Sequence, residues 1–209
     1  MLRLLLVRHG ETTWNAAGRY QGQIDVPLSD VGRQQAAALA QYLAQEKIDV
    51  IYASDLQRAA ETAQHIAASH SLPVLTDPRL REISFGEWEG LTHAEIRERY
   101  SEALDSWLDA PMDNAPPAGE TMTQVAERVR PLLDAMIQAH QEQTVLWATH
   151  GGLLRILLCL LLDLPLSSHW KLRMDNAALS EVAIYDKGAI LNCMNTTYHL
   201  RNGNGCVVS

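Results

Sequence analysis

Two segments far apart in the chain end in histidine followed by glycine: Leu4-Leu5-Leu6-Val7-Arg8-His9-Gly10 and Val145-Leu146-Trp147-Ala148-Thr149-His150-Gly151-Gly152. In each, an apolar run stops at residues suited to acid–base or nucleophilic work. Imidazole exchanges protons near neutrality and can attack phosphorus. Arg8, beside the first histidine, brings a guanidinium whose fork matches phosphate or carboxylate oxygens. Arg58 follows Ser54-Asp55-Leu56-Gln57 in the first turn of a predicted helix, where a cation opposes the helix dipole. An anion that also uses the free amides of that helix end would make sense of the placement. The inventory suits a phosphoryl group, and a carboxylate nearly as well.

For these residues to meet, the elements carrying them must end at one place. Each apolar run reads as a buried strand that delivers its histidine at the C-terminal end, where open α/β sheets bind ligands. The glycines let the backbone approach that ligand closely. Strand and helix patterns alternate along the chain, which predicts a three-layer α/β/α fold with a mainly parallel sheet and helices on both faces. The predicted strands are 2–7, 50–53, 74–75 and 145–149, with a terminal hairpin, 182–185 and 190–194, around Lys187-Gly188. Ser29 reads as the N-cap of a helix burying Ala36, Leu39, Tyr42 and Leu43. A helix over 56–68 turns Ala59, Ala63, Ile66 and Ala67 inward. Short helices at 92–100 and 103–108 follow, then an amphipathic helix over 121–140 that Pro131 should kink, and another from Gly152. The whole chain, 1–209, reads as one domain, with 77–121 as a lid insertion.

Composition narrows the classes. The chain has 209 residues, 47% hydrophobic and 20% charged, as in ordinary globular proteins. A formal net charge of −8 argues against nucleic acid or an anionic membrane surface as partner. Any counter-field for an anionic ligand must therefore be local. Cys159, Cys193 and Cys206 form neither a disulfide framework nor a zinc motif, and no ligand cluster for a metal stands out. No signal peptide or membrane span is evident, so the expectation is a reduced, cytoplasmic protein without metal or cofactor.

The motifs also carry a family likeness. Arg8-His9-Gly10-Glu11-Thr12 resembles the signature of the histidine phosphatase superfamily, in its phosphoglycerate-mutase-like branch. The match continues through Trp14-Asn15, Gly18 to Gly22, Pro27-Leu28-Ser29, Ser54 to Ala59 with Glu61-Thr62-Ala63, Leu80 to Ile83, Gly86 to Gly90, Gly119-Glu120-Thr121 and Thr149 to Gly152. The resemblance implies that His9 is a nucleophile forming a phosphohistidine. It implies that Arg8, Arg58 and His150 hold the phosphoryl oxygens. Asn15, Gln21, Gly22 and Gly151 would line the same pocket, and Glu82 would be the general acid, with Glu87 and Glu89 as rivals. His199, in a tail resembling that of the phosphatases, would line the substrate entrance. The implied activity is metal-independent hydrolysis of a small phosphomonoester, with phosphoserine as first choice. The α-ribazole-5′-phosphate and broad sugar or glycerate phosphatases stand next.

Other classes remain alongside. A phosphoglycerate mutase needs added cations after the glutamate motif, and Ser101 to Ala118 holds no Lys or Arg. A phosphate-binding module without catalysis would be expected to have lost one of the key side chains. His65, His70 and His140 read as surface residues, and His93 as a first-turn residue. Trp88, Trp107, Trp147 and Trp170 read as core or lid packing rather than a substrate platform. The late strand 190–194 could pair across a homodimer.

Overall fold

The computed structural model describes residues 1–200; Cys206 lies outside them. Six strands form one sheet: β1 (Leu2–Arg8), β2 (Val50–Ala53), β3 (Val74–Thr76), β4 (Thr144–Thr149), β5 (Leu179–Tyr185) and β6 (Gly188–Thr196). Their order is β3-β2-β4-β1-β5-β6. The first four run parallel, and the β5–β6 hairpin adds antiparallel strands at one side, leaving β6 at an edge. β4 is buried at every residue, as expected of a strand covered on both faces.

The period of two within β1 explains the layers. Leu2, Leu4 and Leu6 face one side, and Leu5 and Val7 the other. The first side packs against α6 (Met122–Ala139) and α7 (Gly151–Leu161). The second packs against α2 (Asp30–Leu43) and α3 (Gln57–His70). A short α1 (Thr13–Ala16) follows β1, while α4 (His93–Arg99) and α5 (Ser101–Asp109) lie in the segment after β3. The expected three-layer architecture is present. No helix among the described residues is long and apolar enough to cross a membrane.

One local detail differs from the pattern. Tyr42 is 51% exposed, because the apolar stripe of α2 narrows to Ala36, Leu39, Ala40 and Leu43. α6 runs without a break through Pro131, which sits on its exposed face, where the carbonyl that loses its partner can turn to water. The segment 77–121 is anchored: Trp88, Ile96, Leu104 and Trp107 join the main core.

Gly32 has a packing reason. A Cβ there would stand 2.0 Å from the Glu11 carbonyl oxygen, so the first turn of α2 presses directly on the loop after His9. Ser29 holds both partners: its hydroxyl caps Gly32 N–H, and its amide donates to the Glu11 carbonyl. Gly32→Ala is expected to lower stability by roughly 1–3 kcal/mol, as overpacking does, and to reduce turnover with it. Urea unfolding checks the first effect; an unchanged midpoint would mean the loop yields freely.

Candidate active site

Sheet register builds the site. Arg8 pairs with Thr149 across β1 and β4, and His9 N–H donates to the Thr149 carbonyl at 2.9 Å. The residues just past both strands, His9 and His150, are therefore neighbours. Their ring centroids are 5.2 Å apart with planes at 60°. Arg58 arrives from α3, which follows β2 on the other side of β4.

Hydrogen bonds assign the two rings opposite tautomers. His9 Nδ1 lies 2.6 Å from the Gly10 carbonyl, so Nδ1 carries the proton and Nε2 keeps its lone pair. His150 Nδ1 accepts from Arg58 Nε at 3.2 Å, and a guanidinium can only donate. The proton of His150 is therefore on Nε2, which is buried without a protein partner. One ring offers an electron pair and the other a donor. Burial, with the charges of Arg58 and Arg8 beside them, pulls both imidazoles well below their usual range and keeps them neutral.

The cations are set by neutral acceptors. Arg58 is fully buried and donates to the carbonyls of Gly22 at 2.7 Å and Ile24 at 2.8 Å. Arg8 donates to the Met174 carbonyl, and its Nε has no partner. Burial lowers both guanidinium pKa values while Glu82 opposes that shift, and both remain charged at neutral pH. Glu82 accepts from the amides of Gly152 and Leu153, each at 3.1 Å, and so occupies the first turn of α7. Asp25 does the same for Gln57 at the start of α3, at 2.7 Å. These amides are thus not open to a ligand, contrary to the expectation of free helix ends. Gly151 and Gly152 fit because a Cβ would meet Arg8 Nε at 3.2 Å and Glu82 Oε1 at 2.5 Å respectively.

Around this centre the structure places the remaining expected residues. Asn15 Oδ1 accepts from Thr12 N–H and from Asn176 Nδ2, which also reaches the His9 carbonyl at 3.2 Å. Gln21 Oε1 accepts from the Thr12 hydroxyl, and Gly22 enters through its carbonyl to Arg58. Glu89 is turned away, bonding the amides of Gln23 and Phe85. His199 does not line the cavity. Its Nε2 lies 2.9 Å from the Ala177 carbonyl and its ring packs 5.5 Å from Tyr42, behind the loop that supports His9. His70 and His140 are half-buried and bonded rather than free on the surface: His70 reaches two carbonyls and His140 bonds Tyr52.

A cavity of about 250 Å³ opens beside the centre, lined on one side by Arg8, Glu82, Gly151 and Gly152. Trp107 and the half-exposed Trp170, two of the chain's five tryptophans, also line it. Four contributors had no role assigned from sequence. Thr62 accepts from Gly10 N–H and donates to the Arg58 carbonyl, joining both halves of the site. Asn176 braces the His9 carbonyl. Arg155 and His169 line the cavity. For Arg155 a signal existed, since it stands four residues after Gly151 on a helix and so shares its face. Among the described residues, no group of three His, Cys, Asp or Glu side chains is disposed to hold a metal.

Comparison with known proteins shows the family. The family model of the histidine phosphatase superfamily (branch 1) matches residues 4–197. The chain is 38% identical over 200 residues to phosphoserine phosphatase 1 of Hydrogenobacter thermophilus, covering 96% of this chain and 95% of that one. It is 38% identical over 190 residues to the glucosyl-3-phosphoglycerate phosphatase of Mycolicibacterium vanbaalenii, covering 87% and 84%. The alpha-ribazole phosphatase structure from Shigella flexneri superposes with a TM-score of 0.87 at 32% identity, over 93% and 96% of the two chains. The protein belongs to the histidine phosphatase superfamily. It is a phosphoric monoester hydrolase.

Two neutral buried rings make stability depend on pH. Unfolded, each takes a proton near pH 6.5; folded, each stays neutral. The unfolded chain binds more protons below that pH, so stability falls as pH drops, by about 1.4 kcal/mol per pH unit for each ring. Urea midpoints taken between about pH 7 and pH 5 should decline, and His150→Gln should remove close to one proton from the slope. An unchanged slope in that variant would mean His150 is charged in the fold.

Proposed function

We propose that the protein hydrolyses a small phosphomonoester through a phosphohistidine on Nε2 of His9, without a metal, and that phosphoserine is its preferred substrate. The opposed tautomers of His9 and His150 carry this reading. The lone pair on His9 Nε2 attacks phosphorus in line with the leaving oxygen. His150 Nε2–H, Arg8 and Arg58 meet the equatorial oxygens, where charge accumulates. Holding all four groups on packed elements supplies orientation, and little further covalent help is needed.

Glu82 stands at the border between the buried centre and the cavity. Glu82 takes up a proton from solvent as the dianionic ester binds, and in the first step its carboxyl gives that proton to the departing alkoxide. In the second, the resulting carboxylate takes a proton from the water that attacks the phosphohistidine, which frees His9 and releases phosphate. The cavity receives the alcohol portion of the ester, and the segment 77–121 serves as its lid through Glu82, Phe85 and Trp107. The substrate is small, consistent with the cavity's volume. Support for phosphoserine comes from the likeness to the Hydrogenobacter enzyme, and a cytoplasmic metabolite suits that role.

His9→Ala should reduce turnover of p-nitrophenyl phosphate in excess EDTA to background while circular dichroism stays unchanged. Residual rates near the parent's would exclude His9 as nucleophile. Glu82→Gln should slow esters of alkyl alcohols by about 10²–10⁴-fold, and p-nitrophenyl phosphate much less, because nitrophenolate leaves without a proton. Equal losses on both would assign the acid elsewhere. A kcat/KM panel over phosphoserine, α-ribazole phosphate, phosphoglycerates and sugar phosphates tests the substrate, with phosphoserine expected to lead.

A further inference from the structure

The cavity beside the histidine pair holds polar groups that the phosphoryl chemistry does not use. Ligand pockets run from about 300 Å³ upward, so a volume of about 250 Å³ suits a leaving group of a few heavy atoms. Its aromatic walls, Tyr20, Phe85, Trp107 and Trp170, impose little orientation. Two side chains on one side can impose it.

Arg155, on α7, lines the cavity with its Cζ 5.8 Å from the centre of the Trp170 ring. Among the described residues it has no hydrogen-bond or ion-pair partner, and its Nε is buried without an acceptor. His169 is 1% exposed and packs against the same indole with the rings tilted, centroids 4.5 Å apart. Its Nδ1 lies 2.8 Å from the Leu166 carbonyl and so carries the proton. Nε2 is left buried with a lone pair and no donor. Burial, with Arg155 nearby, holds this ring below the usual imidazole range and therefore neutral. A guanidinium that can only donate and a ring nitrogen that can only accept thus line one cavity, neither with a hydrogen-bond partner among the described residues. An apolar alcohol would leave both unmatched, which buried polar groups resist.

We propose that Arg155 and His169 form a specificity pair for the leaving group, Arg155 binding a carboxylate and His169 Nε2 accepting from an ammonium or hydroxyl on the adjacent carbon. The substrate class is then the phosphomonoester of an α-amino or α-hydroxy acid. This deepens the phosphoserine reading and rests on the cavity being the place of the leaving group.

Calorimetric binding to the His9→Ala protein tests the pair without turnover. O-phosphoserine, 3-phosphoglycerate, phosphoethanolamine (no carboxylate) and 3-phosphonooxypropanoate (neither ammonium nor hydroxyl) are the probes. The two complete acids should bind at least about tenfold more tightly than either truncated ester, the scale of one charged hydrogen bond. Which of the two leads distinguishes ammonium from hydroxyl. Adding Arg155→Met should erase the preference over phosphoethanolamine and keep the preference over 3-phosphonooxypropanoate. Adding His169→Leu should do the reverse; if that buried change prevents folding, Arg155→Met alone decides. Equal binding of all four probes, tighter binding of phenyl phosphate, or a uniform loss in Arg155→Met would overturn the proposal. Because p-nitrophenyl phosphate turnover reports the phosphatase reading separately, the two can fail independently.

Discussion

Parallel pairing of β1 with β4 sets Arg8 opposite Thr149, and the bond from His9 N–H to the Thr149 carbonyl carries that register one residue beyond the strands. Adjacent strands lie about 4.8 Å apart, so residues leaving them in step are forced into contact. The ring separation of 5.2 Å is that spacing expressed in side chains. A slip of one residue would send Leu4 and Leu6 to the opposite face and separate the imidazoles at once. The core that fixes the register and the chemistry that needs it are therefore one constraint.

That constraint sets the electrostatics. Arg58 and Arg8 are held mostly by backbone carbonyls, which orient a guanidinium without cancelling its charge. Glu82 is the carboxylate that opposes both. The buried centre is thus net positive inside a chain whose formal charge is −8. Such a centre favours a doubly charged phosphoryl group, and it keeps His9 neutral and able to attack. The same field would oppose a protonated nucleophile. Charge placement and tautomer choice therefore reinforce one another.

Much of this was legible in the sequence because apolar runs ending in Arg-His-Gly and Thr-His-Gly mark both strands and their functional ends. Ser29 as a cap, the inward face of α3 and the terminal hairpin followed from period and turn chemistry alone. The tautomers were only half legible: a carbonyl partner for His9 could be expected, but Arg58 as the donor to His150 depends on how α3 docks. The helix-end amides were misjudged for a similar reason, since Asp25 and Glu82 come from loops whose paths carry no periodic signal. His199 was placed by likeness of the tail motif, and packing against Tyr42 directs it elsewhere. His169 had no sequence signal, because a short turn after α7 fixes neither its depth nor its partners.

The most direct measurement is ¹⁵N spectroscopy of the imidazoles in ligand-free protein at neutral pH, with His9 and His150 assigned by single substitution. The account predicts a neutral ring protonated at Nδ1 for His9 and a neutral ring protonated at Nε2 for His150. The same tautomer at both positions, or a doubly protonated ring at either, would contradict it.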